Sequence, residues 1–154
     1  MLILMGILLI PIFFIILNNT GRGSVAQSNV IFRDRLSDYD LFKGKIADLI
    51  PNDDGISYEL ASGLFTDYAE KKRIIFLPKG KKMIATDDGL PIFPDGTIIS
   101  KTFFYDQKDI LRRSRPLLLE TRLLINKNGQ WNAATYKWNT AQDEALLLKD
   151  STTV

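Results

Sequence analysis

The sequence predicts a mainly β domain with a minor α+β character. It should be an antiparallel sandwich-like or meander arrangement with short helices, preceded by an N-terminal apolar helix. Three observations predict this. Beyond Arg73, apolar residues recur with a period of two, as in "TIISKTFFY" (97–105) and "LLLETRLLI" (117–125). "NKNG" (126–129) marks a hairpin, because Asn-Gly tolerates the positive φ of a type I′ turn. The opening run, "MLILMGILLIPIFFIIL", is apolar and uncharged from Met1 to Leu17.

That first run is slightly short for a spanning helix, which needs about 20 residues, and longer than an ordinary signal core. Ser24-Val25-Ala26 offers small residues suited to cleavage after Ala26, while the usual positive n-region is missing. Three readings stand: a cleaved signal peptide, an uncleaved anchor in the inner membrane through residues 1–17, or a buried core helix. The first two place the remainder of the chain in the periplasm or otherwise outside the cytoplasm. No lipobox cysteine is present. The chain is thus divided into a signal or anchor (1–26), a linker (27–35) and a single β-rich domain (36–150).

Within the domain, "LSDYDLFKGKIADLIPNDDG" reads as short helical turns. Ser37 with Asp40 resembles a capping box, and Ile46, Leu49 and Ile50 have helical spacing before Pro51. "ISYELASGLFTDYAEKK" reads as an ordered loop. "RIIFLP" (73–78) is the first clear strand. The connection "DDGLPIFPDG" ends in a Pro94-Asp95-Gly96 turn that launches 97–105. A polar loop leads to 117–125, and "QWNAATYKW" (130–138) returns from the hairpin. "NTAQDEALLLKD" closes with a short helix capped by Thr140 and Asp143.

Composition bounds the chemistry. The chain has 154 residues, 45% hydrophobic and 25% charged, which fits one folded domain. A net charge of +2 gives little support to a nucleic-acid partner. With no cysteine there are no disulfides, thiolate metal sites or thiol nucleophiles. With no histidine, the commonest general base, zinc ligand and haem axial ligand are missing. The reading leans away from an enzyme and assigns no catalytic or metal-binding residue. Asp53, Asp54, Asp87, Asp88 and Asp95 lack calcium-loop spacing and read as turn residues. Two basic clusters, Lys79/Lys81/Lys82 and Arg112/Arg113/Arg115, read as solvated loops, with a membrane surface or acidic partner as the alternative.

The candidate site lies on strands. Lys101 shares a face with Ile99, Phe103 and Tyr105; Glu120 and Arg122 share one with Leu118 and Leu124. Charge on an otherwise apolar face needs partners. One expectation is a cross-strand pair of Lys101 with Glu120, with Arg122 bridging nearby. Another is a pocket floored by Lys101, Glu120 and Arg122 that binds an anion or carbohydrate or serves an enzyme, with Lys101 or Arg122 holding an anionic ligand. A carboxylate neighbour would hold the lysine pKa up and so disfavour amine catalysis. Trp131 and Trp138 are further candidates for a binding platform. Trp131 falls on one face of its strand, Tyr136 and Trp138 on the other, so only one set can be core.

In their order, "LFTDYA", "FPDGT…KTF", "ETRLL" and "YKWN" resemble the N-terminal module of an exported bacterial family commonly fused to haem-c-binding parts, the dihaem c-type cytochrome-like proteins. The resemblance spans roughly residues 36–148. It implies an exported, non-catalytic module that docks or accompanies a periplasmic c-type haem protein. The Cys-x-x-Cys-His motif of the family's haem part is absent here, so no cofactor is expected in this chain, and any haem would sit in a separate or missing part. A membrane-anchored structural subunit is the remaining reading.

Overall fold

The period-two runs fold as strands. In the computed structural model, which describes residues 30–60, 69–87, 89, 91–106 and 115–149, six strands form one antiparallel sheet. They are β1 (Gly55–Ser57), β2 (Glu70–Phe76), β3 (Ile98–Tyr105), β4 (Leu117–Lys127), β5 (Gln130–Trp138) and β6 (Ala145–Leu147), ordered as in the chain. Each strand pairs with its sequence neighbours. This is a meander, which needs no crossover. Among the described residues there is no α-helix and no second sheet, nor any helix long and apolar enough to cross a membrane. The apolar run of residues 1–17 lies outside the described residues, as do Arg112 and Arg113.

The β4–β5 hairpin forms as the sequence predicts. Lys127 pairs with Gln130, and Asn128 and Gly129 between them take φ values of 52° and 73°. Both central residues of a type I′ turn need positive φ, and this twist matches that of the flanking strands. The Pro94-Asp95-Gly96 turn also forms, with the Thr97 N–H donating to the Pro94 carbonyl at 3.2 Å. The Asp95 carboxylate accepts from the Asn128 N–H, tying the two turns together.

Alternation then sorts the side chains. One face presents Ile74, Phe76, Ser100, Thr102, Thr121, Leu123, Tyr136, Trp138 and Ala145, all buried. The chain before β1 crosses this face and packs Leu36, Leu41, Phe42 and Leu49 against it. Each fully buried large apolar side chain contributes about 1.5–3 kcal/mol. Phe42 meets Phe76 edge-on at 5.9 Å. Tyr39 meets Tyr136 in the same way, and their hydroxyls hydrogen-bond at 2.8 Å. The Tyr136 hydroxyl also donates to the Arg33 carbonyl at 2.9 Å. Gly55 is required by close packing: a Cβ there would lie 2.4 Å from the Pro51 Cβ and 2.8 Å from the Phe76 ring.

Four expectations need correction. The short helix after Asn139 does not form. Asn139 Nδ2 donates to the Asp143 carboxylate at 2.6 Å within a turn, and 145–147 then joins β5 as an edge strand. Burying Ala145 and pairing the free edge of β5 outweighs a helix too short to sustain itself. The Ser37/Asp40 capping box is also absent. Ser37 lies inside a 3-10 turn (Ser37–Tyr39), its hydroxyl bound to Glu144 at 2.6 Å, and a second such turn spans Ile46–Asp48. The segment "ISYELASGLFTDYAEKK", expected as a loop, contributes at its two ends to β1 and to the start of β2, whose polar Glu70, Lys71 and Lys72 carry no apolar alternation, while its residues 61–68 lie outside the described residues. Finally, β4 does not alternate cleanly from its start. Phe103 faces Glu120, but Phe104 faces Leu118, leaving Leu119 as a bulge. Leu118 therefore turns into the core and not to the face of Glu120 and Arg122.

Candidate functional site

The opposite face of the sheet carries the charge. Two rows run across it. In one, Arg73, Lys101, Arg122 and Thr135 are successive cross-strand neighbours; in the next, Lys71, Phe103, Glu120 and Lys137 are. The sequence thus brings together Lys101, Glu120 and Arg122, but the register differs from the expected one. Lys101 stands directly opposite Arg122, and Glu120 opposite Phe103.

Glu120 is taken by Arg122. The guanidinium grips its Oε1 through Nε at 2.7 Å and through Nη2 at 2.6 Å. Such a two-point contact is stronger and more directional than a single one. Arg73, on the other flank, lies 3.4 Å from Glu59, and its side chain is only 11% exposed. Among the described residues no carboxylate comes within ion-pair distance of Lys101. Its close partner is a ring: the Lys101 Nζ lies 4.7 Å from the Phe103 centroid, and the Arg122 Cζ lies 4.9 Å from the same centroid. One aromatic quadrupole thus serves two cations.

This corrects the expected electrostatics. Burial, followed by the charges of Arg73, Arg122 and Lys71, holds the Lys101 ammonium below the ordinary lysine range, and Glu120 opposes that only in part. The carboxylate expected to hold the amine up belongs to Arg122. Like charges placed directly opposite on neighbouring strands are destabilising, so this row costs stability that an anion between the two cations would return.

The face is concave. A cavity of about 950 Å³ is lined by Lys101, Arg122 and Glu120, by the apolar Phe103, Tyr105 and Leu117, and by Thr140 and Gln142 from the β5–β6 turn. That size suits a small organic ligand. Trp138 reaches its wall, yet is itself core: its Nε1–H donates to the Thr121 hydroxyl at 3.0 Å, which hydrogen-bonds to the Thr102 hydroxyl at 2.8 Å. Trp131 is not part of this cavity. It lies toward the other end of β5, where Phe93 meets it edge-on at 5.4 Å. The two tryptophans therefore form no common platform. Sequence reasoning misses the polar wall at Thr140 and Gln142, because their segment reads as a helix. Gln142 is locked to β4, accepting from the Leu118 N–H at 2.6 Å and donating to its carbonyl at 3.0 Å.

Among the described residues, no cluster of three or more acidic side chains could hold a metal ion. Searches against protein-family models, curated proteins and solved structures found no match.

Proposed function

We propose that the domain is a non-catalytic binding module whose open sheet face takes a small organic anion: a carboxylate carried on an apolar or aromatic body. One observation carries this reading. Lys101 and Arg122 face each other across β3 and β4 at the floor of a cavity, and Lys101 lacks a carboxylate partner among the described residues. An anion seated between them would replace repulsion with two charge-assisted hydrogen bonds. Phe103, Tyr105 and Leu117 would cover its apolar part, while Thr140 and Gln142 border it. The absence of histidine and cysteine from the sequence supports binding over turnover.

Benzoate and its uncharged isostere benzamide test the idea. Titrated into the isotope-labelled protein, benzoate should shift the amide resonances of residues 101–103 and 120–122, and benzamide should not. Lys101→Met should weaken benzoate binding by about tenfold, the loss of roughly 1.4 kcal/mol. Equal response to both compounds, or shifts confined to other residues, would sink the proposal. If benzoate is inert and an acidic c-type haem protein perturbs the same resonances, the face docks a protein and not a small ligand.

A further inference from the structure

The two ends of the sheet differ in what they gather. At the end bearing the β4–β5 turn, three segments converge: that turn, the connection from β2 to β3, and the chain arriving from the N-terminus. The arrival is fixed by pairing along β6. The Leu36 N–H donates to the Ala145 carbonyl at 2.9 Å, and the Leu147 N–H to the Asp34 carbonyl at 2.9 Å. Backward from Leu36, the chain runs from the Trp138 end of β5 toward its Ala133 end, where Phe32 lines a cleft with Ala133, Ala134 and Leu148. The described chain therefore enters from the hairpin end.

Apolar side chains stand in the open there, as Leu60 and Leu146 do elsewhere in the domain. Ile84 is 62% exposed, Ile92 57%, Trp131 42% and Leu124 39%. Ile84 and Ile92 are held together by a two-way backbone bridge (3.0 and 2.9 Å), and Phe93, the next residue, packs on Trp131. The patch is thus a fixed surface joined to the sheet. The connection from β2 to β3 also carries the exposed Lys79, Lys81 and Lys82, and β4 ends at the turn on the exposed Lys127. The acidic residues of the same connection are Asp87, Asp88 and Asp95, of which Asp95 is turned onto the Asn128 N–H. An exposed indole with aliphatic side chains, on segments that also carry exposed lysines whose stems can lie along an apolar surface, has the composition of a membrane–water interface.

We propose that this end of the sheet rests on a lipid surface, with Ile84, Ile92 and Trp131 entering the headgroup region, in a chain whose apolar run of residues 1–17 serves as the membrane anchor. Only residues 18–29 separate that run from the described chain, and a segment of that length spans at most about 40 Å. A patch held that close meets the bilayer at high effective concentration, so a weak contact suffices. The anion-binding cavity opens nearer the opposite end, bordered by Tyr105, Leu117 and Gln142. The docked domain would therefore present it away from the membrane.

The full chain reconstituted into vesicles of phosphatidylcholine and phosphatidylglycerol provides the test. Trp131 and Trp138 are its only tryptophans. In the Trp138→Phe variant, Trp131 emission should move to the blue on reconstitution and be quenched by lipids brominated high in the acyl chain. In the Trp131→Phe variant, the buried Trp138 should remain unquenched, which also covers the case where Trp138→Phe fails to fold, with the wild type then reporting Trp131 by difference. Ile84→Glu with Ile92→Glu should abolish the quenching while the chain stays in the vesicle fraction. Trp131 left unquenched in vesicle-bound protein would overturn the proposal, as would a chain that does not partition with vesicles. Trp131 shielded from aqueous acrylamide yet untouched by brominated lipid would point to a second copy or another protein as the occupant, and would overturn it equally.

Discussion

The two faces of one sheet share their strands and differ in almost everything else. On the covered face, Thr102 and Thr121 stand opposite each other and satisfy each other's hydroxyls, with the Trp138 indole as the third member. One residue along in each strand, Lys101 and Arg122 stand opposite each other and repel. Buried polar groups must be paired because the unpaired state is costly there. Half-exposed cations can be left in conflict because water screens them. The covered face thus builds the domain, and the open face is free to carry a cost that a ligand can relieve.

Substitutions can break or sharpen that contrast. The largest effect belongs to the covered face. Leu123→Ala, at a fully buried site, should cost about 2–5 kcal/mol, read from the urea midpoint. Thr121→Val keeps the shape but strands the Trp138 N–H and the Thr102 hydroxyl; a loss of about 1–3 kcal/mol is expected by the same measurement. A loss close to zero would mean that the buried network contributes nothing. Gly129→Ala acts on neither face. It forces a side chain onto φ 73° in the hairpin and should cost about 1 kcal/mol.

The smallest effect should come from the open face. Lys101→Met removes a cation from a cationic row, so stability should stay within about 0.5 kcal/mol or rise slightly. A large loss would show that Lys101 is structural. The pH dependence separates the faces by sign. The Lys101 pKa is lowered in the folded state, so between that value and the ordinary lysine value of 10.5 the unfolded chain holds more protons. Its contribution to stability therefore increases as pH climbs through that window. The Tyr136 pKa is raised, chiefly by burial and then by Tyr39, above its ordinary 10.0. Above pH 10 the unfolded chain loses a proton that the folded one keeps, so stability falls. Urea midpoints across the alkaline range should show Lys101→Met flattening the rise and Tyr136→Phe flattening the fall.

Much of the sheet is legible in the residues because its signals are local. The turn at Asn128-Gly129, the alternation of 97–105 and 117–125, and the placing of Trp131 and Tyr136 on opposite faces each depend on a few neighbouring residues. The candidate site is legible in membership and not in pairing. Lys101, Glu120 and Arg122 do meet on one face, but the pairing puts Arg122 and not Glu120 opposite the lysine, and the bulge at Leu119 turns Leu118 away from that face. A bulge leaves no mark in a period-two pattern until the partner strand is known. The closing strand escapes sequence reasoning for a similar reason, since 145–147 is extended only because β5 offers an unpaired edge.

The sequence by itself determined that this chain is mainly β, where its principal turns fall, and which catalytic side chains it lacks. These depend on φ preferences, alternation and composition, properties of a residue and its immediate neighbours. Only the tertiary structure decided which cation faces which, that Glu120 serves Arg122 and not Lys101, and that the arriving chain and the exposed Ile84, Ile92 and Trp131 share one end of the sheet. Those depend on register and on distant segments meeting, and a register is settled by the whole set of buried contacts at once.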